Sequence, residues 1–227
     1  MIPLKDNIPS KTIPIINYLI IAVNAYIFIL EIKIGSNVMW LIEAYAFYPK
    51  ELTLLLRGEL LSLSPVKKMF TSMFLHGGFG HFLGNMLFLF IFGDNVEDRL
   101  GHIRYLFFYL FCGLAAILLH YIFNAYSATP TLGASGAIAG VMGAYFIFFP
   151  YAKVLTLIPI FIFLQFVEIP AFFFLIFWFI MQFYLGTVSK ILGSSNVAWW
   201  AHVGGFVVGV IIAVISTLFR KIRRAYL

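Results

Sequence analysis

Charge is scarce in this sequence. Only 11% of its 227 residues are Asp, Glu, Lys or Arg, and 63% are hydrophobic. A soluble domain carries roughly 25% charged residues, so a separate soluble domain does not fit, and an integral membrane protein does. Cysteine is nearly absent. Cys112 stands alone in an apolar run, which rules out an intrachain disulfide. The net charge of +6 is partly gathered in the tail "RKIRRAYL" and forms no basic stripe with interleaved aromatics. A nucleic-acid partner is therefore not expected, and contact with anionic lipid is. There is no internal repeat, which argues against an inverted-repeat transporter. The start, "MIPLKDNIPSKT", leads straight into an apolar run, so no cleavable signal is expected.

Long apolar runs make up most of what remains. About 20 apolar residues span a bilayer. The first run is Ile13–Ile32. A longer connection, Lys33–Met69, mixes aromatics and leucines with charges and suits the membrane interface. The second span lies within "FLHGGFGHFLGNMLFLFIFGDNVEDRLG", the third is Tyr105–Phe123, and Asn124–Gly133 is a turn-rich loop. Ser135–Phe149 is a fourth helix, stopped by Pro150. Tyr151–Ile169 reads as a connector folded against the bundle, Pro170–Thr187 as a fifth span, Val188–Asn196 as a Gly/Ser loop, and Val197–Phe219 as a sixth span. The expected fold class is an all-α membrane protein, a six-helix bundle in a single domain over residues 1–227. Nine Lys and Arg (Lys5, Lys11, Arg99, Arg104, Lys153, Arg220, Lys221, Arg223, Arg224) fall on the side of the two ends, against six on the other. The short N-terminus, 1–12, and the basic tail, 220–227, are accordingly expected in the cytoplasm.

Polar side chains inside hydrocarbon need a reason. Four stand out: His81 and Asn85 on one face of the second helix, Ser135 heading the fourth, and His202 early in the sixth. The fourth helix, at 1.5 Å per residue, is roughly 22 Å long in a core of about 30 Å. Ser135 then starts about 8 Å below the membrane edge, and Asn85 and His202 reach a similar level by the same rise. Three helices thus bring polar groups to one depth, where irregular backbone is tolerated only against protein or a water-filled cavity. Small residues repeat every fourth position at Ser135, Ala139 and Gly143, and again at Ala201, Gly205 and Gly209. That spacing lets helix backbones approach closely. Taken singly, each of the four polar residues is more often an interhelical hydrogen-bond partner than a catalyst. "GASGA" is not the hydrolase elbow, which needs glycine where Ala137 stands. His76 and His81 have no carboxylate or cysteine cluster beside them, so no metal or other cofactor is expected.

The motifs "HGGFGHFLGN" (His76, His81, Asn85), "GASGA" (Gly133, Ser135, Gly136) and "AHVGG" (His202, Gly204, Gly205), with "EDRLG" closing the second helix, occur in this order on three spans. The set resembles the rhomboid family of intramembrane serine proteases, over nearly the whole chain. The resemblance implies a six-helix bundle with a submerged polar cavity. It implies Ser135 as nucleophile and His202 as general base. It makes His81, Asn85 and the Ser135 backbone N–H the oxyanion hole, with His76, Gly133, Gly136 and Gly205 in support. Val188–Asn196 would cap the site, and Glu97 and Arg99 would tie down helix ends. The substrates implied are transmembrane proteins, cleaved in or beside their spanning segment in a prokaryotic plasma membrane.

The chemistry is coherent with that set. A serine hydroxyl needs a base to become a nucleophile, and no acidic residue lies near His202 in sequence, so a Ser–His dyad is expected. Two positions depart from common family patterns: Lys67-Lys68 replaces Trp-Arg, and Ala139 stands where some members carry a tyrosine that packs on the base. The alternatives are a non-catalytic rhomboid-like protein that binds transmembrane segments, and a small channel. The presence of both Ser135 and His202 disfavours the first, and the lack of intramembrane charge pairs the second.

Overall fold

A computed structural model describes residues 1–160, 163–192 and 197–225. Among these residues, nine α-helices and three strands follow the order β1 (Ile2–Asp6), α1 (Ile15–Ile34), α2 (Val38–Tyr45), α3 (Pro49–Leu56), α4 (Ser64–Thr71), α5 (Phe79–Leu100), α6 (His102–Asn124), α7 (Ser135–Phe148), β2 (Lys153–Ile160), β3 (Phe163–Pro170), α8 (Ala171–Leu192) and α9 (Trp199–Ala225).

Among the described residues, four helical stretches are long and apolar enough to cross a membrane: Ile15–Tyr45, His102–Asn124, Ala171–Leu192 and Trp199–Arg220. Ser64–Phe74 with Phe79–Leu100 makes a fifth if counted as one span bent by 78°. The break falls at "LHGG", where Gly78 takes a φ of 144° that side chains disfavour. Helix α7 has only 14 residues, about 21 Å of rise, and is too short to cross about 30 Å of hydrocarbon alone. Every residue from Gly136 to Tyr145 is buried, so α7 is a core helix enclosed by its neighbours. The outward faces of the long helices carry Phe107, Phe111, Phe173, Phe177 and Ile211 in the open, as a lipid-facing surface does.

Glycine sets the closest helix contact. A Cβ on Gly205 would lie 1.9 Å from the Gly136 carbonyl oxygen, and one on Gly209 2.0 Å from that of Gly140. One on Gly143 would lie 2.2 Å from the Phe206 oxygen. The α9 stripe is the expected one, Gly205 and Gly209. On α7 the contact takes in Ala139 and Gly143 of the expected row, together with the backbone carbonyls of Gly136 and Gly140. Side chains in helices tilt toward the N-terminus, which places Ser135 at the upper rim of this contact.

The all-α expectation omits a three-stranded antiparallel sheet ordered β1-β2-β3. Residues 1–12, expected as a simple polar end, contain β1, and the connector Tyr151–Ile169 holds the hairpin. Ile2 pairs with Leu157 and Asp6 with Val154, while Lys153 pairs with Pro170 and Ile160 with Phe163. Val154 and Thr156 are fully buried, with Leu155 between them only partly so, the period-two pattern of a strand. Asp6 fastens this sheet to the bundle: its Oδ2 accepts the Tyr145 hydroxyl at 2.5 Å and Asn95 Nδ2 at 2.9 Å. The expected loop Val188–Asn196 is also revised, since α8 continues to Leu192; its remaining residues, 193–196, lie outside the described ones, as do 226–227 of the tail.

Glu97 ties the end of α5 to the start of α1. Its carboxylate accepts the N–H groups of Ile16 at 3.0 Å and Asn17 at 2.7 Å, satisfying two free donors in the first turn of α1. It also holds His102 Nδ1 at 2.5 Å. Arg99 lies over the Phe148 ring, 5.5 Å from its centroid, at the end of α7.

Candidate active site

Ser135 is the first residue of α7 and His202 sits in the first turn of α9. The glycine contact holds these two helix starts together, and His202 Nε2 lies 2.8 Å from Ser135 Oγ. Both side chains face a cavity of about 570 Å³. His81, Gly84 and Asn85 of α5 form one wall, Leu132 precedes the serine, and Trp178 and Gln182 of α8 close the other side.

The segment before Ser135 is pinned from outside. Phe47 and Thr131 exchange two backbone hydrogen bonds, 3.1 and 2.7 Å, and Gly133 N–H donates to the Ser72 carbonyl at 2.8 Å. Thr53 Oγ1 donates to the Ala125 carbonyl at 2.6 Å. Lys68 Nζ is 3.0 Å from Glu51 and 5.1 Å from the Tyr48 ring centroid. Lys68, one half of the Lys67-Lys68 departure, thus supplies a buried clamp between α3 and α4.

Gly133 must be glycine on two counts. Its φ is 120°, and a Cβ there would sit 2.6 Å from His81 Cε1 and 3.7 Å from Asn85 Nδ2. The backbone leading into Ser135 therefore lies flush against both side chains. His81 Nδ1 accepts the Gly77 N–H at 3.4 Å. That nitrogen then carries no proton, and Nε2 is left as the donor. Asn85 is buried, and its Nδ2 has no acceptor among the described residues. With the Ser135 backbone N–H, which has no intrahelical acceptor at the start of α7, three donors border one corner of the cavity. A developing negative charge is what such a corner holds. The positive end of α7 adds to it.

The supporting residues divide. Gly136 faces α6, where a Cβ would meet that of Ala116 at 2.7 Å. Gly205 makes the α7–α9 contact. His76 does not reach the cavity: its ring is buried behind His81, centroids 5.4 Å apart, and its N–H donates to Glu31 at 3.0 Å. Gln182 was passed over in the sequence, yet its Oε1 lies 2.7 Å from His202 Nδ1. Trp178 and Trp199 flank the same imidazole at 5.9 and 6.0 Å between centroids. A lone amide in the middle of an aromatic span was the available signal.

The profile of the family described as Rhomboid domain matches residues 64–219, which hold every residue of this site. Among similar proteins, Rhomboid protease GluP of Bacillus subtilis (strain 168) is 37% identical over 133 residues, covering 58% of this chain and 24% of that protein. RHOMBOID-like protein 1 of Arabidopsis thaliana is 39% identical over 79 residues, 35% of this chain and 20% of its own length. Putative rhomboid protease YdcA of Bacillus subtilis (strain 168) is 35% identical over 78 residues, 34% and 39% of the two chains. The matched stretches thus span a fifth to two fifths of these relatives.

Proposed function

The chain belongs to the rhomboid family, a multi-pass membrane family, and on that premise we propose that it is an intramembrane serine endopeptidase acting on membrane-anchored proteins. The observation that carries the reading is the 2.8 Å approach of His202 Nε2 to Ser135 Oγ in a cavity shared with His81 and Asn85.

The reaction follows from these groups. His202 takes the Ser135 proton as Oγ attacks a substrate carbonyl. The oxyanion is held by His81 Nε2–H, Asn85 Nδ2 and the Ser135 N–H, and each such donor is worth about 10²–10³ in rate. The imidazolium then protonates the leaving nitrogen, and the C–N bond breaks to give an acyl-serine. Water, deprotonated by His202, attacks the ester and releases the new carboxylate. A substrate helix must unwind locally to present its carbonyl, so spans weakened by glycine or proline suit the site.

In this reading residues 1–227 are one protease domain, α7 and the bent α5 count among six membrane helices, and both ends face the cytoplasm. The site then opens toward the outer leaflet, where water reaches it. The test is direct. Purified protein in detergent is expected to cleave a transmembrane reporter and to be labelled by a fluorophosphonate. If Ser135→Ala cleaves and is labelled as the parent is, the reading fails. Reporter binding with no turnover by the parent would indicate a non-catalytic relative.

A further inference from the structure

Ser–His chemistry needs the proton on one particular ring nitrogen. Ser135 must donate to Nε2, so the neutral imidazole must carry its hydrogen on Nδ1. A ring left free to rotate or exchange tautomers spends part of its time unable to act as a base. In this chain no acidic residue is near His202 in sequence, and the position one turn after Ser135 is Ala139, fully buried and too small to hold the ring.

We propose that Gln182 of α8 is the positioning residue for His202: its Oε1, 2.7 Å from Nδ1, accepts the Nδ1–H and holds the imidazole in the tautomer that leaves Nε2 free for Ser135. The inference rests on the protease reading of the site. A carbonyl oxygen can only accept, so this contact selects a single tautomer. Gln182 is 7% exposed, which makes its amide costly to leave without a partner. Trp178 lies one helical turn before Gln182, on the same face of α8, and its ring stands 5.9 Å from that of His202. Trp199 meets the ring edge-on at 6.0 Å. The imidazole is thus fixed by an acceptor at one nitrogen, the nucleophile at the other, and indoles beside it.

An amide has a physical advantage over a carboxylate at this depth. It orients the base without placing a second charge in a poorly solvated site. The imidazolium formed during the reaction then gains no ion-pair partner. The arrangement therefore supplies orientation and tautomer control and omits the charge stabilisation of an acid-containing triad.

The experiment compares Gln182→Met, Gln182→Glu and the parent in one detergent. It reads kcat and KM on a transmembrane reporter, the pH dependence of kcat, fluorophosphonate labelling of Ser135, and thermal melting. Methionine fills similar volume and accepts poorly, so kcat is expected to fall about 10²-fold or more, with KM changed less than about threefold. Glutamate keeps an acceptor and adds charge. Part of kcat should return, and the acid limb of the profile should move to higher pH, because a nearby anion favours the imidazolium. Parental kcat and pH profile in Gln182→Met would overturn the inference, as would equal loss in both variants with an unmoved acid limb. If methionine impairs folding, Gln182→Glu decides by its acid limb alone. A parent protein unlabelled at Ser135 is a different failure, that of the protease reading itself.

Discussion

Replacing Gly205 by alanine should disarm the site without touching either reactive group. The new Cβ would stand 1.9 Å from the Gly136 oxygen and 3.3 Å from Ala139 Cβ. A carbon and a carbonyl oxygen need about 3.3 Å, so the α7 and α9 backbones must part by about 1.4 Å. Gly136 follows Ser135, and Gly205 lies three residues beyond His202, so the same displacement acts on the reacting pair. The 2.8 Å contact would open to about 4 Å, beyond the range of a hydrogen bond. A misplacement of about 1 Å can cost 10²-fold in rate, so labelling and cleavage should fall by about that factor or more. Overpacking costs about 1–3 kcal/mol, and alanine recovers up to about 1 kcal/mol of helix propensity, so the fold should survive. Phosphonate labelling, reporter cleavage and thermal melting in one detergent test this together. Parental labelling by a stably folded Gly205→Ala protein would refute the link between the glycine contact and the dyad.

Asn85→Ala should lower kcat by about 10²–10³ and shift the melting temperature little, because Asn85 Nδ2 bonds to nothing among the described residues; a large melting shift with equal loss of activity would make Asn85 a packing residue. Glu97→Ala strips the acceptor from the Ile16 and Asn17 N–H groups, each costing about 1–3 kcal/mol when left unpaired, and calorimetry in detergent should show the loss. Asp6 is shifted in the opposite sense to a salt-bridged acid: burial raises its pKa above 3.8 against the lowering hydrogen bond from Tyr145. Its ionisation therefore opposes folding, and the stability of the parent relative to Asp6→Asn should drop as pH rises from 3.8 and level off above the folded pKa; a difference that grows with pH would contradict that sign.

The helices were legible because their signal is local. Length and apolarity mark α1, α6, α8 and α9, and breakers such as Pro150 bound α7. The sheet was not, because β1 and β2 pair across some 150 positions and the strand alternation of "KVLTLIPI" hides inside a run already read as apolar. Polar residues at depth were flagged by cost, but cost alone does not sort them. Asn17, Asn24 and Glu31 of α1 are buried polar residues too. They turn out to bond the Leu89 carbonyl, the Ile20 carbonyl and the His76 N–H respectively, which is scaffold work. Gln182 belongs to the same class by sequence and differs only in what α9 brings opposite it.

That difference explains the pairing of glycine with polarity in α7. A short helix that begins inside the bundle leaves its first N–H groups without partners, and hydrocarbon supplies none. Such an end is tolerated only where a cavity or a ligand meets it. The same end needs a neighbouring helix close enough to deliver an imidazole, and close approach requires glycine at Gly143, Gly205 and Gly209. The donors of the helix start, the serine they flank and the glycines that admit α9 are therefore one structural solution. Lengthening α7 by a turn at its start would satisfy its free N–H groups and bury Ser135 in mid-helix. The chain spends glycine and polar side chains at this depth because neither is useful there without the other.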